Sequence, residues 1–187
     1  MVRITRICDV EGPSLPLNQL PCACSELQDF AVVPMGGHDG LDARVFETLE
    51  NLKDHGGREW WLYLSQCSAC GQGWIVAQEE RIHDNYYLKR VAQTTMDQIV
   101  LHDVWPNDFM RFEDVIRLGP ENAKFAVFLN PKDLTDTVQE LFDDRPDISA
   151  KELSYLLCVP ERTASRLMRQ AQKTDGWKFW PFNSRHL

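Results

Sequence analysis

The chain has 187 residues, with 20 Lys or Arg, 28 Asp or Glu, six Cys, 43% hydrophobic residues and a net charge of −8. That hydrophobic share excludes a wholly disordered chain, and the length suits one domain of ordinary size or a main domain with a small appendage. Apolar runs such as 60–64 and 125–129 are only five residues long, a membrane-spanning helix needs about 20, and residues 1–9 lack a continuous apolar secretory core, so no membrane span and a cytoplasmic location are expected.

Residues 1–40 read as irregular. Pro13, Pro16, Pro21 and Pro34, with Gly12, Gly36, Gly37 and Gly40, interrupt any long element. Short apolar stretches at 4–10 and 30–33 are strand candidates. Leu41, Val45, Leu49 and Leu52 recur at spacings of four, four and three. This predicts a helix over 41–52, capped by Asp39 or Asp42 and ended by Gly56-Gly57. Segments 60–66 and 74–78 predict two strands joined by 67–73, a β-hairpin, and 86–91 predicts another strand. Residues 107–118 predict a helix with Phe109, Phe112, Val115 and Ile116 on one face, Asn107 as cap and Gly119-Pro120 as its stop. A strand at 125–129 and a helix over 131–143 follow, the latter with Leu134, Val138, Leu141 and Phe142 on one side. Two short helices are expected near 149–157 and 160–171, then an aromatic tail at 176–182 without a clear period. The fold class expected is α+β: a small mixed sheet with a zinc-bound β-hairpin and flanking helices, followed by a C-terminal helical module.

The charge is not evenly spread. Residues 1–144 carry 12 basic and 24 acidic side chains, and residues 145–187 carry eight basic and four acidic. The split predicts an acidic α+β domain over 1–144 and a basic module over 145–187, with two separate jobs. The segment Asp143-Asp144-Arg145-Pro146-Asp147 marks the boundary.

Two close cysteine pairs stand out, Cys22-Ala23-Cys24 and Cys67-Ser68-Ala69-Cys70-Gly71. Two residues between thiolates let both sulfurs face one ion from a tight turn, and the following Gly permits positive φ. Together the pairs complete a tetrahedral shell of four thiolates, so Cys22, Cys24, Cys67 and Cys70 are the expected ligands of a structural zinc ion. A closed shell stabilises rather than reacts, because a catalytic zinc keeps one position open. Its binding free energy would order an N-terminal half poor in regular structure. A disulfide is disfavoured without a secretory signal, and a redox pair would sit at a helix N-terminus, whereas strands flank this one. Cys8 and Cys158 lack close partners and are expected in the core.

No H-E-x-x-H, G-x-S-x-G or G-x-x-x-x-G-K pattern occurs. The acidic run Gln78-Glu79-Glu80-Arg81 reads as a solvated strand end. No catalytic residue is assigned, which favours a non-enzymatic role.

Residues 150–169 contain Leu153, Leu157, Val159, Ala164 and Leu167 at the positions that let two short helices cross closely, with the small Ser154 where they touch and Pro160 opening the second helix. This segment resembles the helix–turn–helix of bacterial DNA-binding regulators. It departs from that pattern at Cys158, where Gly is usual, so Cys158 must tolerate an αL-like conformation or a different turn. The resemblance implies that the second helix enters the major groove. Arg162, Ser165, Arg166 and Arg169 would then face DNA, with Lys151 and Lys173 on its phosphates. The C-x-x-C-G hairpin also loosely resembles zinc-ribbon proteins and bacterial toxin-immunity or antitoxin proteins.

The function expected is therefore a DNA-binding transcription regulator with a structural four-cysteine zinc site, reading duplex DNA and possible as a homodimer on two half-sites. The alternative is an immunity or antitoxin protein whose acidic body binds a basic toxin.

Overall fold

A computed structural model describes residues 22–55, 61–121 and 129–174. Five strands form one sheet: β1 (Phe30–Pro34), β2 (Leu49–Asp54), β3 (Trp61–Cys67), β4 (Gly73–Glu79) and β5 (Asn85–Val91). Their spatial order is β1-β5-β4-β3-β2, and every neighbouring pair is antiparallel. The sheet is thus antiparallel throughout and not mixed as expected, because the connections from β2 to β5 are too short for parallel crossovers. A short helix, α1 (Leu41–Phe46), carries the chain from the β1 edge to the β2 edge. Both edges are blunted: β1 ends at Pro34, and the β2 register shifts between Asn51 and Lys53.

Central strand β4 is buried on both faces. Ile75 and Ala77 point one way and Trp74 and Val76 the other, all at most 1% exposed. Period-two alternation therefore sorts the molecule into three layers. On one face, Leu64, Ile75 and Tyr87 meet α2 (Gln93–His102), α3 (Phe112–Glu121), α4 (Leu134–Asp144), α5 (Ala150–Leu156) and α6 (Glu161–Thr174). A continuous buried cluster runs from these sheet residues through Phe109, Ile116 and Leu141 to Leu153, Leu156, Ala164 and Ala171. On the other face, Trp74, Val76, Leu88 and Val33 pack on Val45 of α1 and on Ala23, Cys24 and Leu27. Burying each large apolar side chain contributes about 1.5–3 kcal/mol.

Several expected elements differ. The helix over 41–52 stops at Phe46, and Leu49–Asp54 is strand β2 instead. Pairing with β3 satisfies that backbone, and this outweighs the helical spacing of Leu49 and Leu52. The αL residue Gly40 opens α1, while Asp39 accepts the Leu41 N–H at 3.2 Å. Helix α2 was not foreseen: only Met96 and Ile99 are buried, while Val100 and Leu101 face outward and blur the period. Residues 107–118 divide into a 3₁₀ turn, Asn107–Phe109, and α3, which runs through Gly119-Pro120 to Glu121. Pro120 lies in the last turn, where it disrupts little of the helix beyond it. The strand candidate at 4–10, most of the one at 125–129, Gly56-Gly57, Trp60 and the aromatic tail lie outside the described residues.

Glu79 is 1% exposed and not a solvated strand end. Its carboxylate accepts the backbone N–H groups of Arg81, Ile82 and His83 at 2.7, 2.8 and 2.7 Å, which shapes the β4–β5 turn. That turn is fastened to α4 by an Arg81–Glu140 ion pair at 2.8 Å and by His83 Nε2, 3.0 Å from Thr137 Oγ1.

Helix α5 opens with a reciprocal cap. The Glu152 N–H donates to Ser149 Oγ at 3.2 Å, and Glu152 Oε2 accepts from the Ser149 N–H at 2.9 Å and from its hydroxyl at 2.7 Å. Such a cap is worth about 1 kcal/mol. Arg145 links this cap to the core by pairing with Glu152 at 2.8 Å and with buried Glu113 of α3 at 3.3 Å. The Ser149 hydroxyl, the Ser149 N–H and then Arg145 lower the Glu152 pKa from 4.5 to about 2. A carboxyl with a depressed folded pKa stabilises above its unfolded pKa and loses that contribution as pH falls through the folded one. The urea midpoints of the wild type and Glu152→Gln should therefore differ most above about pH 5 and converge towards about pH 2. A gap independent of pH would remove this role for the charge.

Candidate functional site

The β3–β4 turn is built as a sulfur knuckle. Gly71 has φ 76° and donates its N–H to the Cys67 carbonyl at 2.8 Å, while the Cys67 N–H reaches the Gln72 carbonyl at 2.9 Å. Open space surrounds the position of a Gly71 Cβ, so the left-handed backbone, not crowding, calls for glycine. Across from the turn, Cys22 precedes the 3₁₀ turn Ala23–Ser25 and Cys24 lies within it. The two pairs converge: the sulfurs of Cys22, Cys24, Cys67 and Cys70 all lie within 4.8 Å of one another. A tetrahedral ion with bonds of about 2.3 Å needs sulfurs about 3.8 Å apart, so these four can hold a metal ion. Cys24 and Cys67 are buried, Cys22 is half-buried and Cys70 is exposed.

Burial pushes the Cys67 thiol up, but Thr48 Oγ1 at 3.4 Å and the N–H groups of Cys70 and Ala69 outweigh it, bringing the pKa from 9.0 to about 7. Burial raises Cys24 well above its ordinary value against a hydrogen bond from Trp74, and the neighbouring sulfur of Cys67 raises it further. Cys70 is raised too, first by burial. Four crowded sulfurs resist joint ionisation, and a cation among them reverses that preference.

Trp74 and Arg90 frame this cluster. The Trp74 indole is fully buried, and its Nε1–H donates to Cys24 Sγ at 3.4 Å. The Arg90 guanidinium lies over the indole, 4.6 Å from the ring centroid. It donates to the carbonyls of Cys24 and Leu27 at 3.0 Å each and to Gln72 Oε1 at 2.7 Å, and pairs with Asp29 at 3.2 Å. Sequence reasoning missed both residues. The available signal was a Trp close behind a C-x-x-C-G turn, but only the strand register, Trp74 opposite Arg90, brings the arginine there.

The second candidate region is the α5–α6 pair. Leu153, Leu157, Ala164 and Leu167 are buried, and Val159 is half-buried. The Ser154 hydroxyl donates to the Val159 carbonyl at 2.6 Å, closing the turn. Cys158 adopts φ 52°, the left-handed conformation, which was one of the two alternatives expected at this turn. It is exposed, however, and not a core residue: an αL corner between two helices points its side chain outward. Arg162, Arg166, Arg169 and Lys173 are exposed and lie at spacings of four, three and four, one face of α6. Ser165 is half-buried and Lys151 is exposed on α5. Among the described residues no ion pair engages any of these five cations. Helices α4 and α5 both pack against α6.

Searches of protein-family models, curated proteins and solved structures found no match to the chain.

The cysteine geometry makes a direct prediction. If these four sulfurs hold a metal ion, the purified wild type should contain it and Cys67→Ser and Cys70→Ser should each lose it. Each should also melt lower, at about 2–4 °C for every kcal/mol lost. Elemental analysis with thermal denaturation checks this, and full metal content in both variants would defeat the assignment.

Proposed function

We propose that the chain is a non-enzymatic DNA-binding regulatory protein. In this reading a structural zinc ion held by Cys22, Cys24, Cys67 and Cys70 staples the acidic body. Helices α5 and α6 act as a helix–turn–helix on duplex DNA. The observation that carries the reading is the basic face of α6: Arg162, Arg166, Arg169 and Lys173 stand exposed in one row without acidic partners among the described residues. A helix that merely packs has no need of such a row. Arg offers bidentate donors to guanine and neutralises phosphate, and Lys151 and Lys173 suit the backbone. Ser165, half-buried, fits a closer contact at the foot of the helix. The acidic body opposes tight binding by one copy, and a homodimer on two half-sites offsets that.

The zinc assignment follows from the donor set. Four thiolates favour zinc or iron–sulfur chemistry over harder cations, and a closed tetrahedral shell suits a structural zinc.

Duplex DNA should be retained at about 50 mM salt and released steeply towards about 200 mM. Arg162→Ala and Arg166→Ala should each weaken this retention and lower its log–log salt slope by about 1. Fluorescence anisotropy on random duplexes tests this, and a protein that ignores DNA even at low salt ends the regulator reading.

A separate observation favours the neutraliser reading. Leu52, Val100, Leu101 and Val104 are 43–70% exposed, and α2 sits beside β2, tied by the Lys53–Asp103 pair at 2.8 Å. Glu47, Glu50 and Asp54, on or next to the β2 edge strand, are exposed too. Such an acidic, apolar surface suits a basic protein partner such as a toxin. A stoichiometric partner surviving nuclease treatment and lost in Leu101→Glu/Val104→Glu supports this reading, and its persistence in that variant refutes the proposed surface.

A further inference from the structure

We propose that Trp74 is a positioning residue for the metal centre, donating its indole N–H to the bound Cys24 thiolate, and that Arg90 holds the indole and offsets the charge of the cluster. This rests on the metal reading above. Four thiolates around a divalent ion carry a net double negative charge, and a buried charge requires hydrogen bonds or a counter-charge. The structure supplies both from one strand pair. Trp74 lies at the start of β4 with its Nε1 3.4 Å from Cys24 Sγ, a length suited to an N–H···S contact. The indole is fully buried, so water does not compete for that donor.

Arg90 acts through Trp74 and through the backbone. Its guanidinium, 4.6 Å from the ring centroid, draws density from the indole face and makes the N–H a stronger donor. Its bonds to the Cys24 and Leu27 carbonyls at 3.0 Å fix the segment that presents Cys22 and Cys24. Its bond to Gln72 at 2.7 Å reaches the turn that presents Cys67 and Cys70. One cation therefore touches both halves of the ligand set. Groups outside the ligands that orient them typically change metal affinity by about 10–100-fold.

Cobalt(II) titration of the full chain, read by its sulfur-to-cobalt charge-transfer band, separates this role from packing. Trp74→Phe keeps the buried ring but removes the N–H. Without that bond the thiolate electrons lie higher, so the band should move to lower energy and zinc affinity, by chelator competition, should fall about tenfold. Arg90→Lys keeps the charge and loses the fork, so it should weaken affinity with a smaller band shift, and it decides the matter should Trp74→Phe not fold. If the wild type takes up no cobalt, the metal reading falls, and this inference with it. If the wild type binds and the folded variants match it in band energy and affinity, the inference alone is overturned.

Discussion

Arg90 leaves strand β5 on the face where an irregular segment must be held against a flat sheet. Such a segment brings backbone carbonyls with no ladder partner, and burying them unpaired would cost about 1–3 kcal/mol each. The guanidinium answers this with a rigid fork of donors that no other side chain offers. Two carbonyls of the 22–27 segment, a side chain of the knuckle and the face of Trp74 converge on it. The fork thereby ties the 22–27 segment to the strand pair beside the knuckle, where the four cysteines cluster. The small hydrophobic cluster on this face, from Val45 to Trp74, closes around the same point.

The opposite face follows a different logic. There the sheet is covered by helices whose apolar stripes merge into one buried cluster, reaching as far as Ala171. Polar ties are few and placed at joints: Glu79 shapes the β4–β5 turn, His83 and Arg81 fasten it to α4, and Arg145 joins α3 to the capped start of α5. Burial accounts for the inner face of α6, and among the described residues no ion pair engages the cations of its outer face. The row of cations there is what the proposed DNA role draws on. The division of charge between an acidic body and a basic end gains meaning from this arrangement, since four of the eight basic residues of 145–187 stand on one exposed helix face.

Much of this was legible in the sequence where a local rule and a tertiary need agree. Leu153, Ala164 and Leu167 read as a helical seam and are buried as one. Gly71 after C-x-x-C read as a positive-φ turn and has φ 76°. Cys158 in place of Gly read as either an αL residue or a different turn, and φ 52° is the first of these. The cap at Ser149 and Glu152 fits the S-x-x-E pattern and was overlooked, although no tertiary knowledge was needed to find it. Reading failed where partners lie far away in the chain. Leu49 and Leu52 keep helical spacing, yet pairing with β3 makes that segment an edge strand. Glu79 has a surface composition around it, yet three N–H groups of its own turn bury it.

By itself the sequence determined the α+β class, the hairpin, the C-terminal helix pair, the charge division and the identity of two sulfur pairs, because each is written in spacing over a few residues. Only the tertiary structure decided that the two pairs meet within 4.8 Å, that Arg90 and Trp74 stand behind them, and that α4 and α5 both pack against α6. These depend on strand register and on which face each residue takes. Register places Arg90 opposite Trp74 across 16 positions of chain, a relation set by hydrogen bonding between strands and not by any local periodicity.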